Sequence, residues 1–115
     1  MQSNQPRILH LSLHHMAFEV MVTGEKELEF RKKSKWIEAR LFNKDGSRKQ
    51  YDFIKFTNGY GTERPFFYCI FLGFYIDISG TYKYSNGLEV DLNNDYAIRC
   101  GTILLKEDVH GANGQ

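Results

Sequence analysis

The run Phe66-Phe-Tyr-Cys-Ile-Phe-Leu-Gly-Phe-Tyr-Ile76 most narrows what this chain can fold into. It is nearly all apolar, dense in aromatic side chains, and broken only by Gly73. That composition predicts a central β-strand rather than a helix. Gly73 then marks a bulge, or a bend where a small barrel turns a corner. The flanking sequence fits a sheet. In Tyr51-Asp-Phe-Ile-Lys-Phe-Thr57, Ile54 and Phe56 alternate with Phe53 and Lys55, as in a strand. Further on, Tyr82, Tyr84, Leu88, Val90 and Leu92 alternate with polar residues around Asn86-Gly87, the strongest short-range hairpin signal. Asn93-Asn94-Asp95 is expected to turn the chain into a closing strand over 96–105. Aromatic residues make up 15% of the chain, with nine Phe and seven Tyr, which again favours strands.

The N-terminal part carries the helical signals. Residues 1–7 are polar and read as a flexible end. Ile8-Leu-His-Leu11 is a short strand, with His10 a packed or hydrogen-bonded histidine. Ser12 is expected to N-cap a helix reaching about Thr23, in which Leu13, Ala17, Val20 and Met21 have helical spacing. His14 and His15 fall in its first turn, as surface or mouth residues. Gly24 sits where a helix needs a left-handed stop. Leu28 and Phe30 then alternate with Glu29 and Arg31, giving a half-buried strand with one apolar face and one charged face. Lys26, at the turn, can swing beside that charged face. Ser34 caps a second helix, whose core pair is Ile37 and Leu41. Trp36 and Arg40, four apart, flank that pair. Either Trp36 completes the core with Arg40 stacked on its ring, or the two form a wall beside the Lys26 corner.

Two early helices and a series of aromatic strands predict one α+β domain built on a small, mixed β-barrel. The domain is expected over 8–106, followed by a flexible C-terminal tail over 107–115. No apolar run approaches the roughly 18 residues of a membrane span. The N-terminus lacks the apolar segment of a secretory signal, so a cytoplasmic protein without membrane contact is expected. Cys69 and Cys100 lie in apolar, strand-like sequence and read as free thiols, with a disulfide as the alternative. No Cys or His pair has zinc-ligand spacing, and neither metal nor other cofactor is expected.

Charge is unevenly spread. Residues 26–49 hold nine Lys/Arg against four Asp/Glu, while the whole chain is at +1. A basic surface on an otherwise acidic body is the footprint of an anionic partner; a solvated helix face is the plainer reading. Asn58-Gly-Tyr-Gly61 adds a loop in which two glycines admit close backbone approach. Tyr60 between them is placed to stack on a base or donate its hydroxyl, and an ordinary hairpin loop remains the alternative.

Taken together, Leu9-His-Leu-Ser12, the Gly-x-Lys-x-x-Glu-x-Arg pattern at Gly24, Lys26, Glu29 and Arg31, the Trp36…Arg40 helix, Asn58-Gly-Tyr60 and the terminal Tyr96-Ala-Ile-Arg-Cys-Gly101 strand resemble an ASCH domain. The resemblance spans roughly residues 8–105. It implies a PUA-like β-barrel with a cleft, between the first helices and the barrel, suited to RNA or a nucleoside. Some single-domain members are enzymes: one group hydrolyses N4-acetylcytidine, and nuclease activity is attributed to others. The amidohydrolase group uses a Lys, a Thr and a Glu. Lys26 matches its lysine, Glu29 stands where it has threonine, and a tyrosine-rich hairpin replaces the helix that bears its glutamate.

Three functions follow as expectations. The first is an RNA- or nucleotide-binding module, in which Lys26, Arg31 and Arg40 meet phosphates, Trp36 or Tyr60 stacks a base, and Glu29 and Asn58 complete the cleft. The second is a small hydrolase of a modified nucleoside or RNA, with Glu29 as general base and Lys26 stabilising developing negative charge. The third is a protein-interaction domain that presents the Tyr82 and Tyr84 hairpin over 81–92.

Overall fold

The structure, a computed structural model, describes residues 5–61 and 63–104. Residues 1–4 of the flexible end expected over 1–7, the tail expected over 107–115, and the last residues of the expected domain lie outside this range. Alternating burial places each strand. β1 (Ile8–Leu13) buries Leu9, Leu11 and Leu13, and its parallel neighbour β3 (Phe53–Asn58) buries Ile54 and Phe56. β4 (Phe66–Lys83) pairs antiparallel with β3 on one side and with β5 (Glu89–Leu104) on the other. β2 (Leu28–Arg31) lies antiparallel on the far edge of β5. The order β1-β3-β4-β5-β2 makes the aromatic run at 66–76 part of the middle strand, as expected. Two short helices complete the α+β fold: α1 (His15–Val22) buries Val20 and Met21, and α2 (Lys35–Leu41) buries Ile37 and Leu41. Arg7 fixes the entry to β1, because its N–H donates to the Asp52 carboxylate at 2.8 Å and its carbonyl accepts from the Asp52 N–H.

Three expectations are corrected. The sheet is not closed into a barrel: β1 and β2 are its two edges, and no backbone ladder joins them. β2 spends its four residues on the ladder with β5. Second, no turn at Asn93-Asn94-Asp95 separates a hairpin from a closing strand. β4 and β5 are two long ribbons that bend at register shifts, with left-handed backbone at Gly73, Asp77, Gly80 and Asn94. The bulge expected at Gly73 is therefore one of a series, and polar Asp77 and Asn94 tolerate φ near +58° as few other residues do. Third, Ser12 does not cap α1. Its backbone pairs in β1 opposite Thr57, and His14 becomes the cap, with Nδ1 accepting from the Met16 N–H at 3.4 Å. Strand pairing outcompetes capping two residues earlier. Ser34 does cap α2, accepting from the Ile37 N–H at 3.2 Å. Cys69 and Cys100 are free thiols, and hydrogen bonding to Cys69, then burial, pushes the Cys100 thiol far up.

The tip of the β4–β5 hairpin is tied to α1 and the turn after it. Ser85 donates from N and Oγ to the Glu25 carboxylate at 2.8 and 2.5 Å, and Asn86 Nδ2 donates to the Met16 carbonyl and Glu19 at 2.9 Å. The Ser85 hydroxyl, then its N–H, holds the Glu25 carboxyl below its ordinary 4.5. A depressed carboxyl stabilises the fold above its unfolded value and loses that contribution as pH falls through the lowered one. Glu25 is therefore expected to titrate below 4.5 by NMR, with the Ser85 amide resonance following the same midpoint. In Ser85→Ala that midpoint returns toward 4.5; an unchanged midpoint contradicts the latch.

Candidate functional site

After α1 the chain reverses tightly. Gly24 takes φ +86°, and the Lys26 N–H donates to the Val20 carbonyl at 2.9 Å, which tucks Lys26 beneath the helix end. Its ammonium then meets Glu29 Oε1 at 2.8 Å and the Leu28 carbonyl, with Met21 Sδ at 3.9 Å. The rings of Phe30 and Tyr84 lie 4.8 and 5.9 Å away, within cation–π range. The other Glu29 oxygen accepts from Arg31 Nε at 2.9 Å, and Arg31 Nη2 reaches across to the Ser12 carbonyl at 2.7 Å. A side chain thus bridges the sheet edges where backbone pairing does not. Lys26, Glu29 and Arg31 come together as expected, but the burial of β2 is the reverse of the expected one. Lys26 and Glu29 are only 3% and 6% exposed, whereas Leu28 and Phe30 are half-buried, Phe30 beneath the Tyr82 ring at 4.8 Å. The hairpin covers the apolar face from outside, and the charges face the space between the edges.

Two hollows flank the Arg31–Ser12 bridge. The larger, about 390 Å³, is lined by His10, Leu11, Ser12, Arg31, Trp36, Thr57 and Tyr60. Trp36 is 48% exposed and so does not complete the core; Arg40 stacks on its ring at 3.7 Å and donates to its carbonyl at 3.1 Å. Tyr60 is 85% exposed. Arg40 therefore backs the Trp36 ring and does not line the hollow. Asn58 lines neither hollow; its N–H donates to the Pro65 carbonyl and its carbonyl accepts from Arg64 Nε, which shapes the loop that carries Tyr60. The smaller hollow, about 230 Å³, includes Ser12, His14, Lys26, Glu29, Arg31, Leu88 and Val90. Of the five guanidinium N–H groups of Arg31, two have partners among the described residues, so three remain for a ligand.

The sequence reading missed His10, Ser12 and Thr57 as lining residues. Alternation was the available signal: His10 and Ser12 interleave with buried Leu9, Leu11 and Leu13, and Thr57 pairs with Ser12. His10 is exposed at the mouth, where partial burial and then Lys55 lower its imidazole pKa. Tyr84, beside Lys26, is pushed up to about 12 by burial first, then by Tyr82, Glu29 and Glu25, so it is a hydroxyl donor and not a base at neutral pH. Tyr82 and Tyr84 are half-buried, Tyr82 against the Phe30 ring and Tyr84 beside Lys26. Among the described residues, no cluster of three or more His, Cys, Asp or Glu side chains could hold a metal, and no helix is long and apolar enough to cross a membrane.

A buried pair that loses one partner leaves an uncompensated charge, at a cost of about 3–5 kcal/mol. Lys26→Met should therefore lower stability to urea by that order. The double change Lys26→Met with Glu29→Leu should recover much of the loss, because apolar replacement of both members of a buried pair is often neutral. A double variant weaker than the single contradicts a buried pair as the source of the loss.

Compared with known proteins, the chain matches no family model, no curated protein and no solved structure.

Proposed function

We propose that this chain is an RNA- or nucleotide-binding domain of ASCH-like, PUA-related type, and that its ligand enters the gap between β1 and β2. The observation that carries the reading is the larger hollow, where exposed Trp36 and Tyr60 stand beside a guanidinium with free N–H groups. Its volume of about 390 Å³ lies within the range of small-molecule sites. One face of Trp36 is occupied by Arg40, which leaves the other for a nucleobase. Ser12, Thr57 and His10 supply hydrogen-bonding groups around it. The fold also supports the reading. It is a mixed sheet with two early helices, and the Gly24, Lys26, Glu29 and Arg31 pattern falls at the gap, where a PUA-like barrel would close. Lys26 and Glu29 line the smaller hollow, so a hydrolytic activity of the same groove has its residues in reach of a ligand.

Anisotropy of a labelled single-stranded RNA, titrated at two salt concentrations, tests this. Binding should weaken with salt. Trp36→Ala should weaken it by about 1–3 kcal/mol, roughly 5- to 150-fold, the range of one base-stacking contact. Arg40→Ala should cost less, since Arg40 only supports the ring. Equal affinity of wild type and Trp36→Ala rejects the aromatic site. A cleaved probe would move the assignment to the hydrolase.

A further inference from the structure

We propose that the groove is a two-compartment site for a dinucleotide step, with a single phosphodiester held at Arg31 between two nucleoside halves; this rests on the nucleotide-binding reading above. The two hollows share only Ser12 and Arg31, the residues joined by the 2.7 Å bridge. Their lining residues are also offset along both walls. From the smaller hollow to the larger, the β1 wall runs from His14 back to His10, while the opposite wall runs from Glu29 forward to Trp36. The Arg31–Ser12 bridge therefore lies where the two hollows meet.

Charge fixes what sits there. Lys26, Glu29 and Arg31 form one linked ion chain with a net charge of +1; the three Lys26 N–H groups go to Glu29, the Leu28 carbonyl and Met21 Sδ, so the uncommitted donors lie on Arg31. No other Lys or Arg lines either hollow. A single phosphodiester, with one negative charge, matches that residue of charge; a triphosphate does not. The larger compartment, with Trp36 and Tyr60, suits the stacked base. The smaller has apolar walls in Leu13, Ala17, Phe30, Leu88 and Val90, with His14 at its edge, and suits the second nucleoside. The ligand is either a free dinucleotide or one step within a strand, and the two share this chemistry.

The test uses the whole protein and unlabelled ligands: a nucleoside, a dinucleoside monophosphate, the same compound with a neutral methylphosphonate linkage, and an RNA tetramer. The dinucleoside monophosphate should bind about tenfold or more tighter than the nucleoside, the scale of a hydrogen bond to a charged group. The methylphosphonate should lose that advantage. Log affinity should fall with log salt at a slope near −0.7, the value for one phosphate contact on a single strand. Val90→Trp, which fills only the smaller hollow, should remove the dinucleotide advantage and keep nucleoside affinity. A tetramer equal to the dinucleotide supports one recognised step within a strand, and a tetramer that binds much more weakly supports a free dinucleotide. Binding that appears only with the tetramer overturns the single-step site. Equal binding of nucleoside, dinucleotide and methylphosphonate overturns this inference and leaves the nucleotide-binding reading standing. Absence of binding by every ligand overturns both.

Discussion

The architecture depends on one guanidinium. A five-stranded sheet that curls until its edges approach has two ways to end: pair the edges, or leave their backbone groups to water and side chains. Here no backbone ladder joins β2 to β1, and Arg31 spans the gap to the Ser12 carbonyl. Glu29 orients Arg31, and Lys26 in turn holds Glu29. An ion chain this buried is weak evidence for stability, since desolvation offsets most of its attraction. Lys26 and Glu29 line the smaller hollow, where they are available to the proposed ligand.

The same chain of contacts clarifies the basic stretch over 26–49. Six of its nine positive charges are engaged by an acid or a ring. Lys26 and Arg31 are paired with Glu29, Lys32 and Lys33 lie near Asp95 and Asp77 of the bulged ribbon, and Arg40 and Arg48 stack on Trp36 and Phe74. The exposed pairs contribute little to stability, but they reduce the field that the composition alone suggests. What remains at the groove is a single directed cation, and this favours local recognition of a small anionic group over broad wrapping of a polyanion.

Features governed by local chemistry were legible in the sequence. Ser34 caps its helix, Gly24 takes the left-handed stop, Gly87 turns the hairpin with φ +91°, and the aromatic run lies in the middle strand. Features decided by competition were not. Ser12 is a good cap and also a strand residue, and the parallel pairing with β3 takes it. The alternation in β2 was right in period and wrong in sense, because a hairpin some fifty residues later covers Phe30 and turns the charged face inward. Asn93-Asn94-Asp95 has turn composition, yet a left-handed Asn94 inside a long ribbon uses the same residue preference for a bulge. The candidate site was half legible. Its charges were named from spacing, while Ser12, Thr57 and His10 join it only through the curl of the sheet.

The most direct measurement is an NMR titration of the labelled protein with a short single-stranded RNA, followed through backbone amides, the Trp36 indole and the Arg31 Nε–H. Binding in the groove predicts that the indole, the Arg31 resonance and the amides of Ser12, Thr57 and Tyr60 shift together and saturate with one dissociation constant. Shifts confined to the outer face of β4 and β5 around Leu72 and Ile103, with the Trp36 and Arg31 signals unmoved, would contradict it.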